Sequence, residues 1–173
     1  MGRVESGEIK VGDSVTVLPN GRTTRVKDVQ LYGESIGKAI HEQSVTLLLE
    51  DEIDISRGDM IVNSEEVPAQ SKQVEAMVCW LSETPLSPAR TYWLRHTTRE
   101  VKAKVASIAH RVDINTLSSD AASTLVMNDI AQLTLKLAQP VFADNYTESR
   151  PTGAFILIDE STNNTVGAGM IIG

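Results

Sequence analysis

Along most of the chain, apolar residues recur at every second position and each run is closed by Gly, Pro, Asn or Asp, the pattern of half-buried strands joined by turns. Helical periodicity is nearly absent. Val15 and Val17 share one face of a strand that ends at Pro19-Asn20-Gly21, where Asn-Gly suits a tight hairpin because both residues tolerate positive φ. The return strand runs from Arg22 to Tyr32. Val45, Leu47 and Leu49 form a second inward row, which Glu50-Asp51-Glu52 interrupts with residues that prefer water. Ile53, Ile55, Met60, Ile61 and Val62 then return the chain to a core around a bend at Arg57-Gly58-Asp59. Gly58 is expected to be a structural turn residue there, because such a bend calls for positive φ.

From Asn63 to Lys72 the chain is polar, holds one proline and lacks a strand pattern, which places a domain boundary here, with domains at 1–66 and 67–173. Val74, Ala76, Val78 and Trp80 next share one face, with Glu75, Met77 and Cys79 on the other. Two prolines keep the stretch from Ser82 to Pro88 out of a central strand. Arg90 to Arg95 is strand-like. Val101, Ala103 and Val105 line a long strand with which Ile108 is out of phase, so a β-bulge is expected near Ser107.

Ser118 to Asn128 is the one helix candidate, opened by a Ser-Ser-Asp cap signal but short and rich in Ser and β-branched residues, so a single turn is expected. Leu133, Leu135 and Leu137, with Ala131, form another inward row. Gly153 to Asp159 and Thr165 to Ile172 read as a final hairpin around Ser161-Thr162-Asn163-Asn164. Many short strands at this spacing predict an all-β protein of barrels or sandwiches.

Composition narrows the function classes. With 41% hydrophobic and 23% charged residues over 173 positions, the chain is expected to fold without metals or disulfides. A formal net charge of −7 argues against non-specific nucleic-acid binding. The single cysteine, Cys79, cannot form an internal disulfide, which fits a reducing compartment. No apolar run approaches the ~20 residues of a membrane span and the N-terminus lacks a signal-peptide core, so the cytoplasm is the default location and no membrane partner is expected. The sequons at Asn145 and Asn163 are read as chance.

The candidate chemistry is sparse. Gly33-Glu34-Ser35-Ile36-Gly37-Lys38-Ala39 imitates a phosphate loop but has three residues between its glycines instead of four, and Ala39 stands where Mg²⁺ needs a hydroxyl. Asp51, Glu52 and Asp54 lack the ligand spacing of a calcium loop and read as a solvated turn. His41, His96 and His110 are far apart and without sequence neighbours that suggest a triad or metal site. Cys79 reads as a small packed strand residue. Trp80, Tyr92 and Trp93 could stack a base, but in a chain so poor in aromatics they read as core. No catalytic, cofactor-binding or metal-ligating residue is assigned.

Gly2-Arg3-Val4-Glu5-Ser6-Gly7-Glu8-Ile9-Lys10-Val11-Gly12-Asp13 resembles the opening of the second domain of elongation-factor-Tu-like GTPases. Ile55-Ser56-Arg57-Gly58-Asp59-Met60-Ile61 resembles that domain's closing turn, and Thr165-Val166-Gly167-Ala168-Gly169-Met170-Ile171 the end of the third domain. Within that superfamily, four ordered blocks resemble the family of large, GTP-binding subunits of bacterial sulfate adenylyltransferase (ATP sulfurylase). They are Asp51 to Asp59, Trp80 to Pro88, Val112-Asp113-Ile114-Asn115, and Pro151 to Asp159, and the similarity covers the whole chain. The resemblance implies two consecutive β-barrels, like domains II and III of the translation GTPases, with the chain opening inside the first strand of domain II. It also implies a parent that binds GTP and Mg²⁺ in an N-terminal GTPase domain absent from this chain. The partner would be a small subunit that makes adenylyl sulfate from ATP and sulfate, and in bifunctional relatives an adenylyl-sulfate kinase domain follows the last barrel.

Three functions follow from this reading. The first is a coupling scaffold that joins the GTPase domain to the catalytic small subunit and is itself inactive. The second is a translation-factor-like RNA-binding module, which would gather Arg22, Arg25, Lys27 and Lys38 into one basic patch. The third is a self-associating structural domain.

Overall fold

The alternating rows become strands because each puts apolar side chains on one face of a pleated ladder and polar ones on the other. In the computed structural model, which describes residues 1–114, 116 and 118–173, these strands gather into two units, Met1–Pro68 and Ala69–Gly173. The division falls inside the polar stretch, and Asn115 of the Val112–Asn115 block lies outside the described residues.

The first unit contains β1 (Gly2–Arg3), β2 (Glu8–Lys10), β3 (Ser14–Leu18), β4 (Arg22–Leu31), β5 (Glu34–Ser35), β6 (Lys38–Ile40), β7 (Ser44–Leu49) and β8 (Met60–Asn63). Its sheet runs in the order β1-β7-β4-β3-β8, with β5 added at the end of β4, while β2 and β6 form a separate ladder. Ile9 and Ala39 from that ladder pack into the same core as Val15, Val26, Val29 and Val45, so the two pieces make a half-barrel around one interior. In the β7 row Val45 is buried, while Leu47 and Leu49 are half-buried and pack against the core. Ile55 departs from expectation: it is exposed, because the chain from Ser56 to Asp59 folds on itself before strand pairing resumes at Met60.

Two turns show how the backbone sets the register. At the β3–β4 hairpin Gly21 has φ +74 but Asn20 does not share the left-handed region; instead the Asn20 side chain accepts the Arg22 N–H at 2.9 Å. Tyr32 (φ 52) and Gly33 (φ 87) form the two-residue, left-handed turn between β4 and β5.

The second unit contains β9 (Gln70–Trp80), β10 (Tyr92–His96), β11 (Arg99–Val112), β12 (Ser119–Asp120), β13 (Ile130–Phe142), the short helix α1 (Arg150–Gly153), β14 (Ala154–Asp159) and β15 (Thr165–Ile171). Its order is β10-β14-β15-β9-β13-β11, and β10 also pairs with β11, so the six strands close into a barrel, with β12 as a short addition to β11. Val74, Ala76, Val78, Trp80, Leu133, Leu135 and Leu137 all face the interior and are buried. The out-of-phase Ile108 is accommodated by register shifts on β11 between Val105 and Ser107 and between Ile108 and His110.

The helix expected at Ser118 to Asn128 does not form. Ser119-Asp120 pairs with Arg111-Val112, and the rest of the segment turns around buried Leu125, with the Thr124 hydroxyl donating to the Leu86 carbonyl at 2.6 Å. The Asp129 carboxylate accepts the Val126 N–H at 2.9 Å, a local side-chain bond of the kind that competes with helix. No helix among the described residues is long and apolar enough to cross a membrane.

Two substitutions test this packing. Gly58 has φ +96, and its turn is closed by the Asp59 N–H donating to the Ser56 carbonyl at 3.1 Å. Gly58→Val should lower the stability of the first unit by about 1–3 kcal/mol and leave the second unchanged in thermal unfolding. Gly169 faces Phe155 across the β14–β15 ladder, and the Phe155 ring occupies the place where a Cβ would stand. Gly169→Ala should therefore cost the second unit about 1–3 kcal/mol, measured by urea unfolding.

Candidate functional site

The second barrel is filled by its own side chains, so its chemistry is at its ends and on its outer surface. At one end the β14–β15 turn is folded around Asp159. Its Oδ1 accepts the N–H groups of Ser161 and Thr162, both at 2.9 Å, and the hydroxyls of Ser161 at 2.8 Å and Thr162 at 3.2 Å. Arg90 reaches Oδ2 at 3.3 Å. The Ser161 hydroxyl, with the Thr162 N–H next, holds the Asp159 carboxyl below the usual range. A recess of about 590 Å³ opens beside this turn, lined among others by Ser82, Thr84, Arg90 and Thr162. Its carboxylate and the hydroxyls of Ser82, Ser161 and Thr162 are engaged in folding their own loops.

At another polar corner His96 is buried and donates Nε2–H to the Thr152 carbonyl at 2.6 Å. The Thr152 hydroxyl bonds Asp144 and Ser149, each at 2.5 Å. Burial holds the imidazole below its ordinary value, against the opposing pull of the Thr152 bond and the Asp144 charge. The neighbouring strands place Arg99 and Phe155 opposite His96. This is a neutral histidine locking a corner, and among the described residues no metal-binding set surrounds it.

The outer surface carries a different feature. Cross-strand register aligns Ile130, Cys79, Ala168 and Ile156 in one outward row across β13, β9, β15 and β14, and Met77, Met170 and Ala154 in the next. These residues line a shallow apolar groove of about 580 Å³ edged by Arg95, Thr97 and Tyr146. Met170 is 43% exposed and Met77, Cys79, Ile130 and Ile156 are half-buried. These apolar rows lie on the outside of a closed barrel, where they add nothing to its interior. A signal for them stands in the sequence: Ala154 to Ile158 is apolar at both parities, as a strand covered on both faces would be.

The other sequence candidates are dispersed. In the imitation phosphate loop, Glu34-Ser35 and Lys38 lie in strands, the Ser35 hydroxyl donates to Asp28 at 2.6 Å, and Lys38 pairs with Glu8 at 2.9 Å. Asp51 accepts the Thr24 hydroxyl at 2.8 Å. Among the described residues no three His, Cys, Asp or Glu side chains are placed to hold a metal ion. His41 bonds the Glu5 carbonyl at 2.8 Å, and exposed Glu42 lies 3.8 Å from its other ring nitrogen. Trp80 and Tyr92 are buried and meet edge to face at 5.7 Å, while Trp93 faces outward beneath Lys102. Cys79 is half-buried in the outer apolar row rather than packed inside. The four cations of the RNA-binding reading do not form one row. Arg25 and Lys27 point outward from β4, Arg22 stands on the alternate face at the hairpin, and Lys38 is neutralised by Glu8 on another ladder.

Comparison with known proteins places both units. Residues 73–172 match the family described as GTP-eEF1A C-terminal domain-like, and residues 1–62 match elongation factor Tu domain 2. The chain is 46% identical over 171 residues to sulfate adenylyltransferase subunit 1 of Saccharophagus degradans, covering 99% of this chain and 36% of that protein. It is 43% identical to a bifunctional enzyme CysN/CysC of Rhodopirellula baltica, covering 99% and 26%. The chain thus spans about a third or less of the length of these relatives. Among solved structures, sup35 complexed with GDP matches at a TM-score of 0.89 with 20% identity, over 99% of this chain and 43% of that one, a likeness of fold.

The buried histidine yields a pH test. In the unfolded chain His96 takes up a proton near its ordinary value of 6.5, whereas the folded chain resists it, so the unfolded state binds more protons below that pH. The contribution of His96 to stability is therefore complete above pH 6.5 and is lost as pH falls toward the lowered folded value. Urea midpoints of the second unit at about pH 7.5 and about pH 5.5 should fall more for the native chain than for His96→Gln, which does not titrate.

Proposed function

The chain belongs to the GTP-eEF1A C-terminal domain-like family, in the company of sulfate adenylyltransferase subunit 1, and on that premise we propose that it is a coupling scaffold in sulfate activation. In this reading the barrels hold a GTPase domain and contact the small subunit that forms adenylyl sulfate from ATP and sulfate. The observation that carries it is identity of 46% over 99% of the chain, spanning both units. Two structural features support it. The interior of each unit is occupied by packed side chains, which favours work done by surfaces over work done by an internal site. The outer apolar groove gives the second barrel a face suited to another folded body.

The scaffold works by differential binding: GTP and GDP states of the GTPase domain must contact the barrels differently for anything to be transmitted. In this reading GTP is bound by the GTPase domain, since the sequence of this chain lacks the spacing of a phosphate loop.

The test uses the chain immobilised, with the purified small subunit and the GTPase domain of the same protein presented in turn. At least one should be captured, and Met170→Glu, which puts a charge into the exposed apolar row, should weaken that capture about tenfold, or about 1.4 kcal/mol, without changing the melting temperature. Capture of neither, or capture indifferent to Met170→Glu, would overturn the reading. Calorimetry of the chain alone with GTP and Mg²⁺ should show no stoichiometric heat.

A further inference from the structure

Around the ring from the apolar groove, the outward face of β11 and β13 carries a charge arrangement that packing does not require. Lys104 and Lys136 stand directly opposite each other in the β11–β13 register, both exposed. Neither makes an ion pair or hydrogen bond among the described residues, and the residue across from Lys136 on β9 is Gln73. Like charges directly opposite on a ladder are destabilising. The other two outward charges of β11 ahead of its bulge are matched: Glu100 by Arg95, and Lys102 by Glu160 at 2.7 Å. The Lys104–Lys136 pair is therefore a local conflict that a single acidic residue at either position would relieve.

We propose that Lys102, Lys104 and Lys136 form a docking surface for an extended acidic segment of a partner protein. Lys102 and Lys104 are two residues apart on one strand, a repeat of about 6.6–6.8 Å, which is also the repeat of alternate side chains along an extended peptide. The Lys102 ammonium has donors beyond the one given to Glu160, so carboxylates at alternate positions of such a segment meet both lysines in register, and Lys136 flanks them from the next strand. The arriving charge also removes the repulsion between Lys104 and Lys136, so binding recovers a cost that the free barrel carries.

Nucleic acid fits this face less well. Its aromatic residue, Trp93, is half-buried with the Lys102 ammonium 5.2 Å from the ring centroid, so its face is not open to a base. Glu100 and Glu160 bound the patch, and the chain's net charge of −7 opposes a long polyanion that would run beyond it, whereas a short acidic segment stays within it.

The probe is a fluorescent oligoglutamate peptide of about ten residues, with an oligouridine of about equal length as comparison, read by anisotropy at low ionic strength and at about 0.2 M salt. The peptide should bind the native chain, weaken about tenfold with the added salt, and lose about tenfold or more in affinity with Lys104→Glu. The same substitution should raise the melting temperature of the second unit, because it turns a repelling pair into an attracting one. Absence of peptide binding at low salt, binding unaffected by Lys104→Glu, or tighter binding of the oligouridine would overturn the proposal. A lowered melting temperature for Lys104→Glu would overturn it too, by showing that the lysine serves the fold.

Discussion

Closure of the second barrel rests on β10, five residues that pair on one side with β14 and on the other with β11. A strand paired on both sides leaves no open edge, and with the ring closed every inward side chain must fit a fixed volume. The consequences are visible at single atoms: Gly169 is glycine because the Phe155 ring fills its Cβ position. Trp80 fits because its indole N–H finds the Thr84 carbonyl at 2.9 Å just outside the packed interior. Closure leaves the outside of the ring as the surface on which this unit can meet anything.

Closing a ring also creates ends, where backbone and polar side chains must be satisfied without the ladder. Asp159 meets this at the β14–β15 turn by accepting from Ser161 and Thr162, and His96 meets it by donating to the Thr152 carbonyl of α1. Both sites have features that elsewhere accompany catalysis, a shifted pKa and a dense hydrogen-bond set. Here Asp159 is held by its own turn and by Arg90, and His96 by burial and the Thr152 carbonyl, which explains the shifts without a substrate. The first unit solves its boundary differently, with β1 and β8 left as edges and a smaller interior completed by β2 and β6.

Much of this was legible from the alternation of side chains, because a strand with one wet face must repeat every two residues. Val74 to Trp80 and Leu133 to Leu137 are such rows, and the bulge near Ser107 was readable as a phase slip in the same signal. Signals that depend on pairing were not readable. Ser118 to Asn128 has a helix-start signature, but its outcome was set by Ser119-Asp120 meeting a strand end and by Leu125 finding the barrel interior. Ile55 has the right parity for a core position, yet the turn at Gly58 keeps it in solvent. The opposition of Lys104 and Lys136 exists only through long-range register, and no local pattern marks either residue.

The outer surface then acquires a logic of its own. A closed six-stranded ring cannot shift one strand past another without breaking ladders on both sides, so it behaves as a rigid body rather than a deformable relay. A rigid body can still couple two partners if each state of one partner offers it different contacts, which requires faces distinct enough to be read separately. This barrel has two such faces in different chemical currencies: apolar rows on β9, β13, β14 and β15, and lysines on β11 and β13. Apolar contact depends on buried area and is nearly indifferent to salt, whereas the lysine face acts through charge and is screened. In the proposed assembly salt would therefore separate the two contributions: the apolar contacts of the groove would survive high ionic strength, and those of Lys102, Lys104 and Lys136 would weaken.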